Sequence, residues 1–140
     1  MISERMEEAE ISMTTIMAAQ PDAFERLLDT VFDDELLRLV EQAEEKGQFP
    51  RELIEWLGRA GVFASKWHSG HRPDIGKLVQ LSERLGGLGS ASAAVGVSLH
   101  DSAIAMLRRF GRSDYLREIA DRAVRGDAVV CLGASEAGGG

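Results

Sequence analysis

Residues 90–109 read SASAAVGVSLHDSAIAMLRR. Apolar side chains fall almost all round a helical wheel here: Ala91, Ala93, Ala94, Val95, Val97, Leu99, Ala103, Ile104, Ala105, Met106 and Leu107. A helix of that composition is expected to be buried among other helices, and its small residues allow close backbone approach. Arg108 and Arg109 sit in the last turn and Gly111 follows, which are C-terminal signals.

Working back along the chain, the same logic yields more helices. Pro21-Asp22 opens a helix whose apolar stripe (Phe24, Leu27, Leu28, Val31, Leu36, Leu39, Val40, Ala43) runs unbroken to a stop at Gly47. Pro50 is placed as the first residue of the next helix, with Leu53, Ile54, Leu57 and Ala60 on one face and Gly61 at its end. Residues 64–73 hold Ser, Gly, His and Pro and read as a loop. Asp74 is a cap for a helix carrying Ile75, Leu78, Val79, Leu81 and Leu85. Working forward, Ser113 caps a helix with Leu116, Ile119, Ala120, Ala123 and Val124 inward, closed by Gly126. Only then comes a strand-like run, Ala128-Val129-Val130-Cys131-Leu132, followed by Gly133-Ala134-Ser135-Glu136-Ala137-Gly138-Gly139-Gly140. Five or six helices and one strand make this an all-α chain, without the β-α alternation of a doubly wound nucleotide fold. The lone strand and glycine-rich end suggest a ligand loop and a missing remainder.

Composition narrows the function classes. The chain has 140 residues, enough for one domain with a real core. Net charge is −7, with −9 in residues 1–50 and +2 in the rest. No Lys/Arg cluster offers a phosphate-backbone footprint, so a nucleic-acid partner is not expected. The single cysteine, Cys131, excludes an internal disulfide, and the start Met1-Ile2-Ser3-Glu4-Arg5 lacks a signal peptide's pattern. No run is long and apolar enough for a membrane span, and a cytoplasmic location is the expectation. Residues 1–20, acidic and then rich in Met and Thr, read as an extension, disordered or weakly docked, although methionines also suit partner binding.

Several constellations invite a chemical reading. Gly86-Gly87-Leu88-Gly89 lacks the preceding strand, the final glycine of the Gly-x-Gly-x-x-Gly spacing and the downstream acid of a dinucleotide loop, so it reads as a helix–helix turn. His68, His71 and Asp74 fall short of a four-ligand metal set and read as a solvated loop. His100, Asp101 and Ser102 are consecutive on a helix, about 100° apart, and cannot form a catalytic relay. His100 instead shares a stripe with Ala93, Val97, Ile104 and Leu107, as a core or pocket-lining residue. Glu136 reads as an acceptor for the loop's own amides.

In order, these segments resemble the N-terminal part of the acyl-CoA dehydrogenases. Gly47-Gln48-Phe49-Pro50-Arg51-Glu52-Leu53 is similar to that family's Gly-x-Phe-Pro turn and second helix. Leu57 to Phe63, with Gly61, resembles its Leu-x-x-x-Gly-Leu segment, and Leu78 to Ser92 resembles its Leu-x-x-Glu helix junction. Ser98-Leu99-His100-Asp101-Ser102 resembles its Val-His-Asn-Ser stretch. Phe110-Gly111, Tyr115-Leu116 and Gly126-Asp127 follow its Phe-Gly…Tyr-Leu…Gly-Glu spacing. Gly133 to Gly140 resembles the flavin signature Ala-Leu-Thr-Glu-Pro-x-Ala-Gly-Ser-Asp, with Ala134 and Ala137 in place of a larger aliphatic and the proline.

The resemblance implies an N-terminal extension (1–20), a helical acyl-CoA dehydrogenase N-terminal-like domain (21–126) and the incomplete start of a middle β-domain (127–140). It implies an FAD-dependent parent that dehydrogenates an acyl-CoA or other acyl thioester at the α,β position, as a homo- or hetero-tetramer, with an electron-transfer flavoprotein as an electron acceptor. By the same resemblance Leu132, Gly133, Ala134 and Ser135 would touch the flavin. Leu99 and Ala103 would line the acyl pocket. The catalytic glutamate of the family lies beyond these motifs, so no catalytic residue and no metal ligand is assigned, and the chain alone is expected to be inactive. Two alternatives keep their place: a flavin-dependent monooxygenase of the same fold, and a non-catalytic helical partner subunit.

Overall fold

The computed structural model describes residues 22–67 and 72–133. Among them are seven helices: α1 (Ala23–Val31), α2 (Asp34–Lys46), α3 (Arg51–Arg59), α4 (Val62–Lys66), α5 (Ile75–Gly87), α6 (Ala91–Phe110) and α7 (Asp114–Arg125). The all-α expectation holds, with more helices than the five or six read from the sequence. The extension 1–20 lies outside the described residues.

One extra helix comes from a break at Phe32-Asp33. The apolar stripe crosses this point without a Gly or Pro, so periodicity alone reads a single helix. The Asp33 carboxylate, however, accepts a hydrogen bond from the Leu36 N–H at 3.0 Å and starts α2 afresh. The second extra helix, α4, corrects the reading of 64–73 as loop from its first residue. Gly61, at φ +80°, turns the chain and starts α4 immediately. Val62, Phe63 and Lys66 are then buried, and Trp67 with them.

Most other boundaries follow local chemistry. Asp22, Asp74, Ser90 and Ser113 each accept a hydrogen bond from the N–H three residues on, at the starts of α1, α5, α6 and α7. Pro50 sits one place earlier than expected, as the residue before α3. The helix–helix turn between α5 and α6 falls at Leu88 and Gly89, later than expected, because Gly86 and Gly87 still belong to α5.

The core lies where α6 packs on α5, α7, α2 and α3. Leu28, Leu36, Ile54, Leu57, Phe63, Leu81, Leu85 and Ile104 are fully or almost fully buried. Each such side chain contributes about 1.5–3 kcal/mol on burial. Glycine permits two close approaches. A Cβ at Gly58 would stand 2.3 Å from the Gly126 Cα, where α3 meets the end of α7. A Cβ at Gly96 would stand 2.7 Å from the Pro50 ring, as the small residues of α6 led one to expect.

α6 is not buried all round, which corrects that expectation. Ala93, Gly96, Val97, His100 and Ile104 face the core, whereas Val95, Leu99, Met106 and Phe110 are exposed. That face is covered only in part: Phe49 and Pro50 flank Leu99, and α7 flanks Met106 and Phe110. Residues 128–133 form no strand among the described residues. A strand needs a neighbouring main chain, and this run instead lies against α6 and α7 through a side chain.

Candidate functional site

The C-terminal half of α6, the inner face of α7 and residues 130–132 enclose an open apolar cleft of about 390 Å³. α6 lines it with Ala103, Met106, Leu107 and Phe110, and α7 with Leu116 and Ile119. Val130, Cys131 and Leu132 form the remaining wall. Met106 and Phe110 are exposed at its edge, and Leu132 is 43% exposed. Such a lining favours an aliphatic chain over a polar ligand.

The cleft joins two residues that sequence reasoning assigned to different roles. Ala103, expected on the acyl pocket, and Leu132, expected at the flavin, line one space. Leu99 does not join them. It is half-exposed one turn earlier and lines a separate cleft of about 420 Å³ with Phe49, Pro50, Val95 and Gly96. Gly133 is exposed, and nothing stands within 4 Å of where its Cβ would be. Ala134, Ser135 and Glu136 lie outside the described residues, as do His68 and His71. Among the described residues no three His, Cys, Asp or Glu side chains are grouped to hold a metal. Cys131 is a free, exposed thiol.

His100 underlies this site as a buried residue, as its stripe predicted. Its Nε2 lies 3.2 Å from the Ala123 carbonyl on α7, and its Nδ1 lies 3.2 Å from both the N–H and the carbonyl of Val130. A neutral ring protonated at Nε2 donates to Ala123 and accepts from the Val130 N–H. Burial pushes the imidazole pKa down, while the main-chain carbonyls of Ala123 and Val130 beside the ring act in the opposite sense. The Phe63 ring packs against it at 4.8 Å between centroids.

Asp101 faces a different partner. Its carboxylate meets the Lys66 ammonium at 2.5 Å, and Lys66 is wholly buried. Desolvation pushes Asp101 up and Lys66 down, and the charge of each opposes the shift of the other. Lys66 also lies 4.5 Å from the Phe63 ring centre. Ser102 donates to the Ser98 carbonyl, so the three consecutive polar residues form no relay.

Sequence reasoning missed Lys66, because a lysine in an apparent loop carries no sign of burial. It also missed Glu44, which accepts from Ser90 at 2.5 Å and Ser92 at 2.6 Å and ties α2 to the start of α6. Those hydroxyls hold the Glu44 carboxyl below its usual range. No helix among the described residues is long and apolar enough to cross a membrane.

The sequence matches known proteins. The family model described as "Acyl-CoA dehydrogenase, N-terminal domain" matches residues 18–127. A protein of Mycolicibacterium paratuberculosis named acyl-(acyl-carrier-protein) dehydrogenase MbtN is 56% identical over 128 residues, 91% of this chain and 33% of that protein. Proteins of the same name from Mycobacterium sp. strain MCS and Mycobacterium bovis are 55% and 58% identical, over 90% and 85% of this chain and 32% and 31% of theirs. The chain therefore spans about a third of the length of the curated relatives it matches. The all-helical fold, a match over residues 18–127 and these relatives together show that the chain belongs to the acyl-CoA dehydrogenase family, as its N-terminal domain.

Proposed function

We propose that this domain forms one wall of the acyl site in an FAD-dependent dehydrogenase whose substrate is an acyl chain held as a thioester on a carrier protein. The observation that carries the reading is the shared cleft of Ala103 and Leu132, which runs from the apolar flank of α6 to the residue before the flavin signature. The relatives' name supplies the carrier-protein thioester, in place of the acyl-CoA that the family resemblance alone suggests.

The residues present suit the cofactor. Leu132 and Gly133 are exposed, and the space beside Gly133 is open, so a flat ring can approach the main chain. Leu132, Gly133, Ala134 and Ser135 would hold it, with Ser135 and backbone amides donating hydrogen bonds. FAD, when bound, supplies the acceptor for the hydride lost from the substrate. Donors near the ring favour its reduced, more negative form.

This chain's own part is binding and exclusion. Met106, Leu107, Phe110, Leu116 and Ile119 take up apolar chain, at about 0.8 kcal/mol per buried methylene. The same side chains keep water from the reacting carbons. No described residue serves as base: His100 spends both ring nitrogens on main chain, and Asp101 is paired with Lys66.

The test uses the complete polypeptide that carries this domain. With an acyl-carrier-protein thioester, flavin absorbance falls under anaerobic conditions and the acyl product loses two hydrogens. The CoA thioester of the same acid reacts more slowly. Absence of bound flavin would overturn the reading. So would a requirement for reduced flavin and oxygen with an oxygen atom gained, which is the monooxygenase outcome.

A further inference from the structure

We infer that His100 is a positioning residue for the cofactor: it sets where the segment that leads into the flavin signature leaves the helical domain. The inference rests on the reading above.

The main chain of 128–133 has neither helix nor strand to hold it. Among the described residues, the hydrogen-bond partner that its backbone finds is the His100 ring, whose Nδ1 lies 3.2 Å from both the Val130 N–H and the Val130 carbonyl; with Nε2 protonated toward Ala123, Nδ1 accepts from the N–H. His100 is itself immobilised. It is wholly buried, it is bonded through Nε2 to Ala123 near the end of α7, and it is packed on Phe63. One side chain thus links three places: the middle of α6, the last turn of α7 and Val130. Leu132 and Gly133 follow Val130 by two and three residues. An extended chain covers at most about 3.3–3.6 Å per residue, so a main chain fixed at Val130 leaves the next residues a reach of only about 10 Å. Loss of the bond would free the direction of the exit without emptying the helical core. The ring does no chemistry in this scheme, because neither nitrogen reaches the cleft with a hydrogen-bonding position to spare.

Two substitutions separate the two ring nitrogens. In His100→Asn the amide oxygen stands near the place of Nδ1 and can accept from Val130, while the bond to Ala123 is lost. In His100→Gln the longer amide reaches toward Ala123, and Val130 is left without its acceptor. Both are made in the complete polypeptide, with folding checked by circular dichroism. We expect exchange of the Val130 amide hydrogen, measured in the flavin-free protein, to speed up at least tenfold in the Gln variant and far less in the Asn variant. Flavin affinity, read by fluorescence titration, should fall about tenfold in the Gln variant, the equivalent of about 1.4 kcal/mol. The Asn variant should stay close to wild type in that titration even though it melts at a lower temperature.

Flavin loss that tracks melting temperature equally in both variants would reduce His100 to a structural residue and overturn the inference. Unchanged flavin affinity and unchanged Val130 exchange in both would do the same. A wild-type protein that binds no flavin overturns the functional reading itself, an outcome distinct from wild-type binding with no difference between variants.

Discussion

Lys66 and Asp101 stand 35 residues apart in sequence and 2.5 Å apart in space, with Lys66 fully buried in the helical core. The pair locks α4, a helix of five residues, against the middle of α6. So short a helix has no stability of its own and depends on such contacts.

Removing one partner of this pair should cost far more than removing both. Lys66→Met leaves Asp101 buried and unpaired and is expected to lose about 3–5 kcal/mol. Asp101 already has one oxygen, Oδ1, without a partner among the described residues. The double variant Lys66→Met with Asp101→Leu should therefore recover most of that loss. Urea unfolding of the two variants checks this, and equal losses in both would refute it.

Stability should fall as the solution is acidified below neutral. The folded-state pKa of His100 is depressed from the ordinary imidazole value of about 6.5, chiefly by burial. A group depressed in this way stabilises the fold fully above about 6.5, and the contribution is lost as pH falls through the lower native value. Asp101, beside it on α6, opposes the depression, and Lys66 on α4 adds to it. Urea midpoints at neutral and mildly acidic pH should show the loss in wild type and a smaller one in His100→Asn.

Two glycine substitutions should separate contact from flexibility. Gly58→Ala drives a methyl group into the Gly126 backbone, and overpacking of that kind costs about 3 kcal/mol. Gly86→Ala meets open space within α5 and should stabilise by about 0.5–1 kcal/mol. Thermal melts of both variants give the comparison.

The cleft leads to a prediction about chain length. Ala103→Leu extends a side chain into the space between α6 and Leu132. In the complete polypeptide it should lower turnover of long acyl thioesters several-fold and spare short ones. An equal loss for both lengths would point to damaged folding instead. The 140-residue chain by itself should retain no stoichiometric flavin on purification, which absorbance would show.

Particular residues show why parts of this were legible. Asp74 and Ser113 cap helices by bonding to an amide three residues away, so their role can be read locally. Asp33 does the same but sits inside an unbroken apolar stripe, and the periodicity hid it. His100 was readable as buried because its neighbours on the stripe are apolar. Its bonds to Ala123 and Val130 span 23 and 30 residues and leave no trace in spacing. Leu99 and Ala103 are one turn apart and share a face on the wheel, yet Pro50 and Phe49 crowd the first and α7 the second, so they open on different clefts.

By itself, the sequence determined what depends on neighbours within a turn or two: most helix starts and stops, and the ordered motifs that mark the family. The tertiary structure alone decided which side of α6 is covered, where the Lys66 charge is neutralised, and what holds Val130 beyond the end of α7. The division follows from the reach of the interactions. Caps and helical hydrogen bonds close over three or four residues, whereas a buried ion pair or a histidine clamp forms only when distant segments are brought together and water is shut out.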